Sequence, residues 1–342
     1  MSKAIARDSS FELLRLLAQF FIVFYHMLMI TAQSFYLGNG VSVSKALWIP
    51  LHIGVPIFVM ISGYFGIRAT IKGFLKLMIT VFFYVLVTNI IMWSIGGGGN
   101  FPFSKLLIIS SSHWFVRTYI YLYLFSPVLN AYIKRADGQR LLYLLLVLLF
   151  INVYVGFIGN DISLTEGKSL TNFCLFYVIG SCISRWKSIF NKFSSKWYLV
   201  TFVLLNLILC TAYSCLPQVV SNIIWKLSFP YHSPFILVSS ALFICMISNL
   251  QMLSNSINKI AKSTFAIYLL HCSGLVMNYV NKPVLQQIVD QFNSGSMIII
   301  CLFAYSVILF MACIAIDQLL LPMWNRIHQQ LDNKCKTIDL SV

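Results

Sequence analysis

The chain has 342 residues, 59% of them apolar and only 10% charged, with a formal net charge of +15. Soluble domains carry about 25% charged residues, so this composition excludes a soluble globular protein and requires an integral membrane protein. The basic residues lie in short loops between apolar runs. No Lys/Arg cluster is interleaved with stacking aromatics in a polar segment, which excludes a nucleic-acid-binding module.

The first apolar run, roughly Phe11 to Ile30, has the length of a transmembrane helix. It opens with Glu12 and Arg15 and is too long for a cleavable signal peptide. Four polar residues interrupt it: Glu12, Arg15, Gln19 and His26. At about 100° per residue their spacing keeps them on one stripe. Arg15 and His26 differ by about 20° in direction and by about 16 Å in depth, at about 1.5 Å rise per residue. Ionisable groups inside a membrane are costly and face a bundle interior or a wet cavity, so the stripe points to a reaction path. Taken singly, Arg15 reads as a snorkelling cation or an ion-pair partner of Glu12 or Asp317, and His26 as a packing residue.

Ten apolar spans are expected, near 11–31, 47–66, 74–95, 113–133, 140–158, 171–187, 197–216, 231–249, 264–281 and 297–322. The fold class is therefore an all-α integral membrane protein, a bundle of about ten transmembrane helices. Residues 1–322 form one multi-pass domain, and 323–342 a short cytoplasmic tail. With the N-terminus inside, the basic residues sort by side. Lys3, Arg7, Arg15, Arg68, Lys72, Lys76, Lys134, Arg135, Arg140, Arg185, Lys187, Lys192, Lys196, Lys259, Lys262, Arg326, Lys334 and Lys336 fall inside. Lys45, Lys105, Lys168, Lys226 and Lys282 fall outside. This asymmetry places both termini in the cytoplasm.

Along the spans, the second carries Gly54-Val55-Pro56-Ile57-Phe58 and Ser62-Gly63-Tyr64-Phe65, in which Pro56 kinks the helix and Ser62 and Gly63 permit close helix approach. The fourth opens with His113-Trp114-Phe115-Val116-Arg117 at the outer interface. Trp114 suits the aromatic belt, while Arg117 snorkels outward or binds a polar acceptor. The ninth contains Ile267-Tyr268-Leu269-Leu270-His271, a second mid-depth histidine, and the tenth carries Asp317 near its cytoplasmic end. His52 and His232, near the outer face, carry little information alone. The nine cysteines lie mostly in apolar runs without a Cys-x-x-Cys. They read as small hydrophobes and supply neither a disulfide framework nor a metal site.

Arg15-x10-His26 with an acidic residue at Glu12 resembles the signature of the membrane-bound acyltransferase-3 family. The Val55-Pro56-Ile57-Phe58…Ser62-Gly63-Tyr64-Phe65, His113-Trp114-Phe115 and Ile267-Tyr268-Leu269-Leu270-His271 blocks fall in the family's order, and the resemblance covers nearly the whole chain. It implies an O-acetyltransferase in stand-alone form, without an extracytoplasmic esterase-like domain. Such a protein moves an acyl group, usually acetyl, from cytoplasmic coenzyme A to a hydroxyl of a cell-surface or lipid-linked polysaccharide. Two departures bear on the acceptor. Trp114 is followed five residues later by Tyr119, where many members have Glu, and only Arg68, Lys72 and Lys76 stand where many have a dense Arg pair.

These expectations assign roles. His26 is the catalytic residue, either as a base toward the acceptor hydroxyl or as the acylated group itself. Arg15, Arg68 and Lys72 bind the donor phosphates, for which the Arg fork is suited. Glu12 and Asp317 are structural or orienting groups. His113, Trp114, Arg117 and His271 lie on the acceptor side, with His271 in packing or acceptor positioning. Glu12 is about 21 Å from His26 along the helix, so any group orienting His26 comes from another helix. Acetyl-CoA is a co-substrate, with no permanently bound cofactor and no metal. The partners are acyl-CoA, a saccharide and the bilayer of the cell membrane, and a homo-oligomer is compatible with the chain. A transporter of a polysaccharide or small anion is the rival reading, since a polar stripe and a Pro-broken helix serve transport equally. A purely structural or partner-binding membrane protein is the third.

Overall fold

The structure is a computed structural model that describes residues 8–34, 40–96 and 113–334. Of the residues used above for orientation, Lys3, Arg7, Lys105 and Lys336 lie outside the described residues, as does the end of the tail, 335–342. The described residues are mostly helical, joined by short turns, with no strand among them. In order, the helices are α1 Ser9–Ser34, α2 Gly40–Leu51, α3 Gly54–Phe65, α4 Ile71–Ile95, α5 Trp114–Arg135, α6 Gly138–Leu149, α7 Leu170–Arg185, α8 Lys187–Phe190, α9 Ser195–Cys215, α10 Gln218–Ser228, α11 Pro234–Ser248, α12 Asn255–Ile260, α13 Thr264–His271, α14 Lys282–Gln291 and α15 Gly295–Lys334.

Short polar side chains start many of these helices by accepting from otherwise unpaired backbone N–H groups. Thr70 caps α4 through Gly73 N at 2.9 Å, Asp137 caps α6 through Arg140 N at 2.8 Å, and Ser169 caps α7 through Asn172 N at 3.3 Å. At the start of α1, Asp8 accepts from Ser10 N, while the Ser10 hydroxyl donates to Leu250 O at 2.6 Å. The Ser9 hydroxyl reaches Ser254 O at 3.3 Å, so one end of α1 is tied to the 250–254 connection.

Two breaks position the site. The second expected span is two helices, α2 and α3, interrupted at His52 and Ile53. Pro56 explains the break: it has no N–H to give to the His52 carbonyl four residues back. Regular bonding resumes from Ile57 N to Ile53 O at 3.0 Å. The ninth expected span is not one helix. Asn255–His271 and Val276–Gln291 meet at 75°. Ser273 sits at the corner, its hydroxyl donating to Leu270 O at 2.7 Å and accepting from Val276 N at 3.3 Å. It thus closes one half and opens the other. A third irregularity is the π-helical continuation of α6 over Phe150–Ile158.

The core is built on α3, packed between α1 and α7. Gly63 and Gly180 make the α3–α7 approach possible. A Cβ on Gly63 would sit 1.9 Å from Tyr177 O, and one on Gly180 would sit 1.9 Å from Met60 O. Ser181 then donates to Gly63 O at 2.8 Å, a hydrogen bond available only at that spacing. The expectation that Gly63 permits close helix approach is met, with α7 as the partner.

Among the described residues, six helical stretches are long and apolar enough to cross a membrane, counting α2 with α3 and α6 with its π-helical continuation as one stretch each, or seven if the bent pair also counts as one span. The other expected spans correspond to α5, which is 22 residues long but less apolar, and to α7 and α11, of 16 and 15 residues. The last helix continues past Pro322, where the last expected span ends, and runs 40 residues to Lys334. Asp332 near its end engages Lys76 at 2.9 Å and Lys72 at 3.4 Å, both on α4.

Candidate active site

His26 lies two-thirds of the way along α1, and His271 is the last residue of α13. α13 packs against α1 and brings the two rings together: His26 Nδ1 is 3.0 Å from His271 Nε2. The other nitrogen of His271, Nδ1, is 2.7 Å from Ile267 O. A carbonyl only accepts, so His271 Nδ1 carries the proton and its Nε2 presents a lone pair. In a neutral pair His26 then donates its Nδ1–H to that lone pair, and its proton-free nitrogen is Nε2. This chain of carbonyl, imidazole and imidazole selects the tautomer of His26 from outside its own helix. His271, expected in packing or acceptor positioning, has a fully buried ring and contacts His26 from another helix.

Cys272 was read as a small hydrophobe. Its Sγ lies 3.2 Å from His271 Nε2 and 3.7 Å from His26 Nδ1, so it belongs to the same polar cluster. His26 and Cys272 both face a cavity of about 650 Å³, which His52, His113, Trp114, Tyr231 and Tyr268 also line. A smaller cavity of about 160 Å³ shares Tyr25, His26, His52, Trp114 and Tyr231 and extends to Glu166 and Lys168. The Trp114 and Tyr231 rings are 5.4 Å apart, and Lys168 Nζ stands 5.8 Å from the Trp114 ring centre. Lys168 also pairs with Glu166 at 2.9 Å. Glu166 has a φ of 51°, a left-handed conformation unusual for a non-glycine residue. Backbone held in this way clusters at functional sites.

His52 is part of this wall. It stacks among Tyr25, Phe229 and Tyr231 at 4.8, 4.4 and 4.6 Å, and its Nδ1 has no hydrogen-bond partner among the described residues. The sequence offered no signal for His52, Glu166 or Lys168: each is a single polar residue whose neighbours come from distant segments. Cys272 had one available signal, its position directly after a mid-depth histidine.

The other expected site residues separate. Arg15 Nη1 meets Glu12 Oε1 at 2.5 Å, with Glu12 buried. Of the two partners expected for Arg15, Glu12 is found and Asp317 is not. Asp317 instead accepts from the Tyr84 hydroxyl at 2.5 Å, linking α15 to α4. Arg68 is exposed on the connection between α3 and α4, and Lys72 is held by Asp332. The three cations expected to bind the donor therefore sit in different surroundings. Of the residues expected on the acceptor side, His113 and Trp114 line the larger cavity, whereas Arg117 lines neither of the two cavities.

A pair of imidazoles, His271 buried and His26 half-buried, stands at the wall of an aromatic cavity within a bundle of membrane-length helices, which makes this a multi-pass membrane protein. A family model described as an acyltransferase domain, that of the acyltransferase-3 family, matches residues 8–315. The chain belongs to that family and is a membrane acyltransferase. No curated protein and no solved structure matches it.

Proposed function

We propose that the protein transfers an acyl group, most simply acetyl, from cytoplasmic acyl-coenzyme A to a hydroxyl of a cell-surface or lipid-linked saccharide, with His26 as general base. The observation that carries this reading is the His26–His271–Ile267 chain, which leaves His26 Nε2 as the proton-free nitrogen. In the transfer, the acceptor oxygen attacks the thioester carbonyl and gives its proton to His26 Nε2. The carbon–sulfur bond breaks, and coenzyme A leaves as a thiolate that takes the proton back. His271 Nε2 stabilises the transient imidazolium by accepting from Nδ1–H.

The walls favour a sugar. Trp114 and Tyr231 offer aromatic faces to its C–H surface, and Glu166 and Lys168 offer hydrogen-bonding groups for its hydroxyls. On the donor side, Arg15 lies about 16 Å along α1 from His26, a distance that a long thin pantetheine arm bridges. Ten spans with both termini in the cytoplasm complete the proposal, motivated by the distribution of basic residues.

The test uses purified full-length protein with radiolabelled acetyl-CoA and a panel of glycans. The expected result is thioester consumption matched by an alkali-labile ester on one glycan. Movement of a glycan or anion across a sealed vesicle without thioester consumption would establish the transporter reading instead.

A further inference from the structure

We propose that His26, His271 and Cys272 form a binding site for a soft divalent cation of the zinc type, and that the bound ion blocks the base. Three observations converge. The first is geometric. The potential ligand atoms His26 Nδ1, His271 Nε2 and Cys272 Sγ all lie within 4.8 Å of one another, with separations of 3.0, 3.2 and 3.7 Å. Tetrahedral zinc with Zn–N of about 2.0–2.1 Å and Zn–S of about 2.3 Å requires an N···N edge of about 3.3 Å and N···S edges of about 3.6 Å. Each observed edge is within about 0.4 Å of its target, so an ion enters with only small side-chain shifts.

The second observation is the donor set. Two imidazoles and a thiolate select zinc and its softer neighbours, whereas calcium and magnesium require oxygen ligands, and none of these three residues supplies one. The third is the surroundings. His271 donates its remaining N–H to the Ile267 carbonyl at 2.7 Å, the arrangement that orients metal-binding histidines. The cavity that His26 and Cys272 line leaves a fourth coordination position open. The helix end fixes the pair: His271 closes α13, Cys272 caps it, and Ser273 holds the corner after them.

Binding is balanced by protons. The Cys272 thiol releases one proton as the metal–sulfur bond forms. His26 must offer Nδ1 to the ion, so its own proton moves from Nδ1 to Nε2. The nitrogen needed to accept the acceptor proton then carries one, and transfer stops. The cation site stands on geometry alone; the inhibition rests on the base role proposed above.

The test titrates the full chain in detergent with Cd2+ as probe, and separately with Zn2+ during turnover. The expected result is one Cd2+ per chain with a thiolate-to-metal charge-transfer band. The band is lost in Cys272→Ala and Cys272→Ser, and the affinity falls at least tenfold in His271→Gln. In the unaltered protein, bound Cd2+ should also protect Cys272 from maleimide labelling, read by peptide mass spectrometry, which requires no variant to fold. Absence of the band, its survival in both Cys272 variants, or labelling of Cys272 at the same rate with and without Cd2+ would each overturn the site. Zn2+ should suppress acyl transfer, and a chelator should restore it. Confirmed metal binding that left transfer intact would keep the site and remove His26 as the base.

Discussion

A histidine in the membrane interior serves as a base only if one nitrogen stays free of protons and faces the substrate. At His26 the proton-free nitrogen is set by a carbonyl one helix away: in a neutral pair Ile267 O determines the tautomer of His271, and His271 determines that of His26. The two residues therefore have separable phenotypes. His26→Gln removes the base, and acyl transfer should fall by about 10²–10⁴-fold with expression and detergent stability retained. His271→Gln leaves the base but releases its ring. A misplacement of this kind costs about 10²-fold, and the loss should appear in kcat with KM nearly unchanged. Steady-state kinetics on both variants checks this; equal activity in His271→Gln and the parent would show that His26 needs no partner. The Arg15–His26 stripe was legible in the sequence because both residues ride one helix of known period. His271 was recognised as a mid-depth histidine, but its partnership was not legible. It lies 245 residues from His26 and meets it through the packing of α13 against α1.

Between elements, stability depends on a few contacts that tolerate no added atom. Gly63→Ala would force a methyl against Tyr177 O, and the α3–α7 pair would have to separate. A loss of about 1–3 kcal/mol is expected for such overpacking, seen as a lowered midpoint of thermal unfolding in detergent. Gly138→Ala is the matched control, because nothing lies within 4 Å of its added Cβ, and its midpoint should not move. The Tyr84–Asp317 bond joins α4 to α15. Tyr84→Phe leaves the Asp317 carboxyl buried without that donor and should cost about 1–3 kcal/mol. Adding Asp317→Asn should recover part of the loss, read from the same unfolding midpoints, because a neutral amide is cheaper to leave without a partner than a carboxylate. The helix boundaries were legible where apolar runs end at Ser, Thr or Asp caps. They were not legible at Cys272 to Leu275, where Cys, Gly and Leu keep the apolar character while Ser273 bends the backbone. The continuation of α15 past Pro322 was hidden for the opposite reason. Its last turns are polar, and Asp332 anchors them to Lys72 and Lys76 of α4, a contact with no local sequence signal.

At the scale of the whole molecule, apolar run length and crossing length are different quantities. α7 and α11, at 16 and 15 residues, reach about 24 and 22 Å at about 1.5 Å per residue, short of a hydrocarbon core of about 30 Å. α7 is buried over most of its length, packed against α3, and a helix shielded by protein need not match the lipid thickness. The distribution of cations, independent of helix length, is what argues for orientation. Lys and Arg are concentrated on one side of the alternation, and that side should be cytoplasmic. A reporter fused after Lys334 should therefore report inside, and one inserted between Asp161 and Lys168 should report outside. The same orientation would make the proposed transfer vectorial. The Glu166–Lys168 mouth of the smaller cavity would then open outward, while Arg15 on α1 sits toward the donor side. In proteoliposomes of uniform orientation, transfer should require acyl-CoA on the face bearing the C-terminus and glycan on the opposite face. Glu166→Ala should raise KM for the glycan while leaving KM for acyl-CoA unchanged. Equal rates with both substrates supplied on the C-terminal face alone would show that the acceptor reaches His26 by another route, and that the outer mouth is not its entrance.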